Sequence, residues 1–310
     1  MKRMKIINSC LILFLTGCLM TACDQLEDEL FTKKVIFTNN GFVEYPLYLT
    51  ESGDETIHLS VSVSGTSSNS SEVQVKYQLN ENALNEYNYN KYRDLVGSYY
   101  KLLPADCYTF INNDVVIESG QEYGLLPIRF HFDKINKYER YVLPISLTET
   151  SVYETDSIHS KVLLNINLLN EFSGAYAMAN SFLYIDRDTL PVSGSSRSFY
   201  AVDHNTCYFY AGNISDLSFN FEKHAIEVSL NPVDSTLSFR AIYSELNLTF
   251  PAADKDEKIN TFSVAESKYE GSKDPITTTQ LNFEYTYDDL TLGVEVPITK
   301  RFKGSLINQR

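Results

Sequence analysis

The side chains in this sequence that are best suited to binding a ligand are a dense group of tyrosines with one arginine. The group lies within residues 87–100, is interleaved with asparagine and lysine, and comprises Tyr87, Tyr89, Tyr92, Tyr99, Tyr100 and Arg93. Tyrosine combines a flat apolar ring with a hydroxyl that hydrogen-bonds, so these residues could stack against a ring-shaped ligand. Part of the group recurs at helical spacing, however, and the alternative is that the rings pack at one end of a folded domain.

A second tyrosine group lies on two segments with period-2 alternation in the C-terminal half of the chain. It consists of Tyr208, Tyr210, Tyr285 and Tyr287. These rings could line the mouth of a β-barrel, and the alternative is that they are alternating residues of a core.

The sequence lacks the spacing of a catalytic or metal centre. Its five histidines show no His-Glu-x-x-His pattern, and no Gly-x-Ser-x-Gly elbow occurs. Asp254, Asp256 and Glu257 lack the central glycine of an EF-hand loop. We predict no catalytic residue, no metal and no cofactor, and a protein that is not an enzyme. A hydrolase stays open as an alternative, because 40 acidic residues make a carboxylate pair at glycosidase spacing unavoidable.

Length and charge narrow the class of protein. A chain of 310 residues is long enough for two domains, each with its own core. Its net charge of −14 repels nucleic acid, so we predict no nucleic-acid partner. Cys107 and Cys207 lie in different predicted domains beside aromatic residues, which indicates buried apolar side chains rather than a disulfide framework or a metal site.

The N-terminus has the pattern of an export signal. Basic residues precede an apolar run over residues 6–20, and small residues then precede Cys23, so residues 1–22 are predicted to be a signal peptide. A membrane-spanning anchor is the alternative, but this run is shorter than about 20 residues and is interrupted. A cysteine at the cleavage point resembles a bacterial lipoprotein signal, in which two acyl chains anchor the protein stably. Cys18 is the alternative lipid-attachment site, although it would leave an apolar N-terminus. Residues 23–33 are the acidic tether.

The elements that must position the first tyrosine group lie in residues 34–169. Apolar and polar residues alternate over 57–64, 73–79 and 126–132, as in half-buried strands. Residues 82–96 instead show three- and four-residue spacing, so we predict a short helix there with Asn80 or Asn82 as its N-cap. About seven short strands separated by turns predict an antiparallel sandwich of immunoglobulin-like type.

Residues 170–310 form a second predicted all-β domain. Its alternating segments favour a small lipocalin-like barrel, and a second sandwich is the alternative. Residues 251–279 are polar and are predicted to form a long exposed loop. The strand candidates are Phe182–Ile185, Phe199–Val202, Thr206–Tyr210, Ile226–Leu230, Leu237–Ile242, Leu246–Phe250, Leu281–Tyr287 and Leu292–Ile298.

Several short motifs, together with the lipoprotein signal, resemble one family across almost the whole exported chain. They are Leu84-Asn85-Glu86-Tyr87-Asn88, Leu103-Pro104-Ala105-Asp106-Cys107-Tyr108, Val116-Ile117-Glu118-Ser119-Gly120, Arg140-Tyr141-Val142-Leu143-Pro144-Ile145, Gly174-Ala175-Tyr176-Ala177-Met178 and Cys207-Tyr208-Phe209-Tyr210-Ala211-Gly212. The chain is similar to Bacteroidetes surface lipoproteins in which an N-terminal immunoglobulin-like domain of unknown function precedes a lipocalin-like β domain.

This resemblance implies a glycan-binding protein of a polysaccharide-utilisation system. Such a protein would sit on the outer membrane, exposed at the cell surface and anchored only by lipid, and would capture oligosaccharide for an outer-membrane importer complex. The first tyrosine group is then the candidate glycan-stacking surface, although the absence of tryptophan counts against it. One alternative is a structural or adhesion partner in a surface complex that binds no glycan. An unrecognised glycoside hydrolase is the second alternative.

Overall fold

A computed structural model of the chain describes residues 32–50, 53–65, 69–185, 190–251, 259–268, 273–293, 295 and 297–310. Strands make up most of both halves, so the all-β prediction is confirmed. The predicted signal peptide and both candidate lipid-attachment residues, Cys18 and Cys23, lie outside the described residues. Within the described part of the chain, no helix has the length and apolar character needed to cross a membrane.

The N-terminal half folds as two packed sheets. Its strands are β1 Lys34–Phe37, β2 Gly41–Tyr48, β3 Asp54–Val63, β4 Val73–Leu79, β5 Lys101–Leu102, β6 Tyr108–Phe110, β7 Asp114–Ile117, β8 Tyr123–His131, β9 Tyr141–Thr150, β10 Glu154–Thr155 and β11 Lys161–Leu169. One sheet has the order β10-β1-β3-β8-β6. The other has the order β2-β11-β9-β4-β7, with β5 beside β9.

These two sheets confirm the predicted sandwich. The first two strands enter different sheets: β1 pairs antiparallel with β3, and β2 pairs in parallel with β11. The pairs β1–β10 and β5–β9 are also parallel, so the sandwich is less purely antiparallel than the sequence indicates. Residues that alternate inward, such as Leu126, Ile128 and Phe130, are fully buried in the core between the sheets.

A helix, α1 Glu81–Tyr92, connects β4 to β5 and confirms the predicted break in the strand pattern. It begins after Asn80, whose Oδ1 accepts the backbone N–H of Ala83 at 3.1 Å, so Asn80 rather than Asn82 is the N-cap. Leu84 and Tyr92 pack on the outer face of the second sheet, in a small apolar cluster apart from the main core. The second sheet is therefore covered on both faces in this region.

The C-terminal half forms a closed barrel. Its strands are β12 Gly174–Ile185, β13 Val192–Ser193, β14 Arg197–Ala201, β15 Thr206–Tyr210, β16 Ala225–Asn231, β17 Thr236–Ala241, β18 Thr261–Ser267, β19 Ile276–Asp289 and β20 Ile298–Gln309. Short β13 pairs with the end of β12 on the side opposite β20. The other strands pair as neighbours from β12 through β14 to β20, and β20 pairs again with β12. Among the described strands, this closes an eight-stranded barrel and decides against a second sandwich.

Aromatic side chains fill the interior of the barrel. Phe209 lies within 6.5 Å, ring centroid to centroid, of Phe199, Phe283 and Tyr285. Eight strands enclose a space just wide enough for side chains to fill. The barrel interior is thus a packed core.

The predicted loop over 251–279 is wrong in part, because residues 261–267 form β18 and residue 276 begins β19. The polar β18 buries only Phe262 and so lacks the apolar alternation that reveals a strand. The predicted strand over 246–250 is instead a 3-10 turn, Ser244–Leu246, followed by an isolated bridge at Thr249. The last strand starts at Ile298, where its predicted range ends.

Among the described residues there are two cysteines, both free, and each is buried in a different domain core, as the sequence indicates. Cys107 belongs to the sandwich core and Cys207 to the barrel core. Burial raises the pKa of the Cys107 thiol to about 11 and that of the Cys207 thiol to about 12. Both thiols are therefore neutral and act as apolar side chains.

Candidate functional site: an interdomain cleft

A short, tightly bonded link joins the two domains. Between β11 and β12, the buried Oδ1 of Asn170 accepts the backbone N–H groups of Phe172 and Ser173 at 2.9 and 2.7 Å. The Nδ2 of Asn170 donates to the carbonyl oxygens of Asp203 and Thr206 in the barrel, at 2.5 and 3.1 Å. The side chain of Asn170 thus fixes the link to the barrel, which restricts the orientation of the sandwich relative to the barrel.

A partly buried ion pair connects the domains. Arg140 follows a turn of the sandwich, and its Nη1 lies 2.8 Å from the Oδ2 of Asp216, in the barrel loop after β15. The Arg140 side chain is only 16% exposed, and its guanidinium lies over the rings of Tyr100 and Phe221, one from each domain. Ser98 Oγ also donates to the Asp216 carbonyl oxygen, at 2.6 Å. A planar guanidinium suits such a position, because it pairs and stacks at once.

The barrel contributes tyrosines to this interface from the outer face of β15. Every residue of β15 is buried, because Cys207 and Phe209 point into the barrel core while Tyr208 and Tyr210 point outward. Tyr208 packs against Tyr138 of the sandwich, with ring centroids 5.5 Å apart. A strand that is apolar on both faces needs cover on both faces, and here the sandwich covers the outer one.

The second tyrosine group therefore does not come together at a barrel mouth. Tyr285 and Tyr287 are fully buried in the barrel core. Tyr208 and Tyr210 lie outside the barrel wall, in the interdomain cluster. The alternation of side chains along each strand does not specify which face the other domain covers.

Beside the ion pair, the domains enclose a cleft of about 390 Å³. The outer face of the second sheet contributes polar side chains, since Asn165 on β11 pairs in register with Glu44 on β2, and Asn167 lies two residues further along. The barrel contributes Ser198 and Tyr200 from β14. The residues of the cleft on which its chemistry depends are Glu44, Lys91, Asn165, Asn167, Ser198 and Tyr200.

Tyr200 is the aromatic ring best placed to meet a ligand in this cleft. It is half-buried and stacks on Tyr208, with ring centroids 5.0 Å apart and planes at 25°. Burial raises the pKa of the Tyr200 hydroxyl, so this group stays protonated and available as a donor. The stack on Tyr208 holds the ring in place before any ligand arrives.

The structure brings the first tyrosine group together, but mainly as packing around the end of α1. Tyr92 and Tyr100 are buried, and Tyr87 stacks on Phe42 at a centroid distance of 4.5 Å. The Nζ of Lys91 lies 5.1–5.5 Å from the centroids of four rings, those of Phe42, Tyr87, Tyr92 and Tyr100. Such cation–π contacts occupy the ring faces from within the protein.

Three members of the group point elsewhere, and Tyr100 alone among its six residues lines the cleft. Tyr99 donates from its hydroxyl to the carbonyl oxygen of Arg93 at 2.7 Å. Tyr89 is 57% exposed, and the guanidinium of Arg93 lies 5.0 Å from its centroid. Tyr89 is therefore the member whose ring is most open to solvent.

Tyr208 of the second tyrosine group also lines the cleft. The sequence patterns did not indicate Glu44, Asn165, Asn167 or Tyr200 as binding residues. One local signal was available for two of them, because Asn165 and Asn167 are polar at alternate positions of an otherwise apolar strand. No local signal connects them with Glu44 or Tyr200, which lie far away in the sequence.

Comparisons with known proteins support the two-domain organisation. A family model for an N-terminal domain matches residues 31–154, and a second model, for the C-terminal part, matches residues 160–307. No curated protein matches the chain.

Solved structures share the fold over most of both chains. A protein of unknown function from Bacteroides ovatus is 24% identical, with a TM-score of 0.76 over 90% of this chain and 95% of that one. A protein described as an auxiliary nutrient binding protein, from Bacteroides thetaiotaomicron VPI-5482, is 20% identical, with a TM-score of 0.72 over 86% and 91%. These likenesses define a class of two-domain all-β proteins. The two family models together span most of the chain, in the order of the sandwich and the barrel.

Proposed function

We propose that this protein is a non-enzymatic glycan-binding protein that captures oligosaccharide in its interdomain cleft. The observation that carries the proposal is the cleft itself, which a pre-stacked tyrosine of the barrel lines together with amide and carboxylate side chains of the sandwich and a serine hydroxyl of its own strand. Ligand sites commonly form at domain interfaces, with an apolar surface and a few convergent polar groups. The description of one structural relative as a nutrient-binding protein agrees with this role.

The side chains of the cleft match the chemistry of a sugar. A pyranose presents an apolar C–H face to an aromatic ring and a rim of hydroxyls to polar groups. Tyr200 supplies the ring, whereas Asn165 and Asn167 each supply an amide that both donates and accepts. Glu44 adds an acceptor beside them. One small site thereby provides stacking and hydroxyl recognition together.

We propose that the protein lies on the outer membrane, exposed at the cell surface. Cys23, or alternatively Cys18, carries the lipid that anchors the chain there. The bound glycan would then pass to an outer-membrane importer complex. Labelling of intact cells with a membrane-impermeant reagent tests the exposure, and loss of membrane association in Cys23→Ala, but not in Cys18→Ala, tests the anchor.

The experiment that tests glycan capture uses the chain without residues 1–23, which keeps every residue that the structure describes. It is applied to an array of host and plant glycans, and the wells are also analysed for released oligosaccharide. We expect binding without release, and we expect Tyr200→Ala to weaken affinity by about tenfold, or about 1.4 kcal/mol. Tyr89→Ala is the matched control, since it removes an exposed tyrosine outside the cleft.

Other outcomes separate the alternatives. Failure to bind any glycan would contradict the proposal and favour a structural or adhesion partner. Release of oligosaccharide would reveal a hydrolase. If Tyr89→Ala lost binding while Tyr200→Ala kept it, the ligand would bind at the exposed end of α1 instead of in the cleft.

A further inference from the structure

The outer wall of the barrel carries a second groove, where β12, β20 and β19 lie side by side. It has a volume of about 360 Å³. The strand register places residues of the three strands in two neighbouring rows. One row is polar and consists of Asn180, Ser305 and Asn282. The other row contains an aromatic ring, a cation and a carboxylate, and consists of Phe182, Lys303 and Glu284.

This groove combines the same types of side chain as the interdomain cleft. Phe182 is 37% exposed, so part of its ring is open to solvent. Tyr184, two residues along β12, also lines the groove, and the guanidinium of Arg301 lies 4.4 Å from its ring centroid. Two aromatic side chains therefore flank a polar floor.

The polar floor is held in place by contacts within the barrel wall. Glu284 is almost fully buried, with Lys303 Nζ at 3.3 Å and Arg301 Nη1 at 3.8 Å from its carboxylate. The Oδ1 of Asn282 accepts from Ser305 Oγ at 2.6 Å and from Gln280 Nε2 at 2.9 Å. Since its oxygen is already engaged, Asn282 has the Nδ2 group left to donate to a ligand.

The groove and the cleft share one strand. Ala175, near the start of β12, lines the cleft, and Asn180 and Phe182, further along β12, line the groove. Residues 177–179 between them are exposed, and the two alanines of this segment are small. The pairing of β12 with β20 shifts register between Met178 and Asn180, so β12 is irregular there. At about 3.3 Å per residue, the distance from Ala175 to Phe182 is at most roughly 23 Å.

We propose that β12 forms a continuous track between the cleft and the barrel groove, and that the ligand is an extended oligosaccharide that occupies both. This inference rests on the proposed function, since it assigns a length to the ligand of the same cleft. A single sugar fits one end of the track alone. A chain that reaches Phe182 gains a second stacking contact without a second loss of translational freedom, so affinity should increase with chain length.

The test measures calorimetric affinities for size-fractionated ladders of β-glucan, α-mannan, xylan and polygalacturonate oligosaccharides. We expect affinity to rise with length until the chain spans the track. Phe182→Ala should then weaken the affinity for the longest oligosaccharides by about tenfold and change the affinity for disaccharides by less than about twofold. Ala177→Arg, which places a bulky side chain on the track, should act in the same way.

The control variant is Val264→Ala, which removes an exposed apolar side chain from β18 of the same barrel but lies outside the groove. Melting temperatures of all variants show whether each still folds. If disaccharides bind as tightly as long chains and Phe182→Ala changes neither, the track is disproved while cleft binding stands. If wild-type protein binds nothing in these ladders or on the array, the proposed function fails first.

Discussion

At the scale of single residues, two asparagines on α1 look alike in sequence and differ completely in the folded protein. Asn88 and Asn90 both interleave the first tyrosine group. Asn88 is buried, and its amide forms two hydrogen bonds with the backbone of Tyr100, from Nδ2 to O at 2.8 Å and from N to Oδ1 at 2.9 Å. Asn90 is exposed. Asn88 thus fastens the helix to the chain that follows it.

We predict that Asn88→Ala lowers the free energy of unfolding by about 2 kcal/mol, because it leaves a buried backbone N–H and C=O of Tyr100 without partners. Asn90→Ala, the matched control, should change it by less than about 0.5 kcal/mol. Urea unfolding curves followed by circular dichroism measure both values. Equal stability of the two variants would show that the Tyr100 backbone finds other partners.

A buried carboxylate near one end of the barrel should make stability depend on acid pH. Asp289 contacts Lys300 and accepts from the backbone N–H and the hydroxyl of Thr291 at 2.9 and 2.7 Å. Burial acts to raise the pKa of Asp289, but the ion pair with Lys300 and the hydrogen bonds from Thr291 outweigh it and hold the pKa well below its usual range. The stabilising contribution is therefore complete above about pH 4, the unfolded pKa, and is lost as the pH falls toward the folded pKa.

We predict that Asp289→Asn costs about 2 kcal/mol at pH 7, since it removes charge-assisted hydrogen bonds from a buried position. The difference in the free energy of unfolding between wild type and variant should decrease as the pH is lowered from 5 to 2, as measured by urea unfolding at each pH. Asp234→Asn, in an exposed hairpin turn of the same barrel, serves as the control. A difference that stays constant with pH would contradict the assignment.

At the scale of elements, closure of the barrel depends on a glycine. β20 pairs with β12 opposite Ser181, and a Cβ at Gly304 would lie 2.4 Å from the carbonyl oxygen of Asn180 and from the Cα of Ser181. Both are backbone atoms, so relief requires the two strands to separate. We predict that Gly304→Ala costs about 2 kcal/mol or more.

Thermal unfolding measured by the near-ultraviolet signal of the barrel aromatics tests this prediction. Gly97→Ala is the control, because a Cβ at Gly97 meets no atom within 4 Å. A melting temperature of Gly304→Ala equal to that of the control would mean that the seam between β12 and β20 adapts without cost.

At the scale of the whole molecule, the ion pair of Arg140 and Asp216 makes the two domains one unit. We predict that Arg140→Ala separates their unfolding, because it leaves Asp216 without its ion pair and removes the guanidinium from between two rings. Scanning calorimetry should resolve two transitions in this variant, and glycan affinity in the cleft should fall with it.

Lys76→Ala provides the comparison, since it breaks an exposed ion pair with Glu149 inside the sandwich. Such surface pairs contribute about 0–1 kcal/mol, so the calorimetric trace should be nearly unchanged. Identical traces for Arg140→Ala and Lys76→Ala would show that the Asn170 link and the remaining contacts, such as Tyr138 on Tyr208, hold the domains together without the ion pair.

The sequence by itself determined the all-β class and the helical break in the first half, indicated two domains, and favoured a barrel over a second sandwich for the second half. These follow from local patterns, because alternation reports which face of a strand is buried. Where that signal is absent, as in the polar β18, the strand was missed. The tyrosine cluster was also visible, and the structure brings three of its members, Tyr87, Tyr92 and Tyr100, together around Lys91.

Only the tertiary structure decided what covers each buried face. From the sequence, Tyr92 and Tyr100 could either stack against a ligand or pack inside the protein. The sheet behind them shows that they pack. Tyr208 is buried because a second domain lies against the barrel wall. The cleft joins Glu44, Asn165 and Tyr200 from distant segments. Periodicity along one chain carries no information about such contacts, because they depend on how whole domains pack.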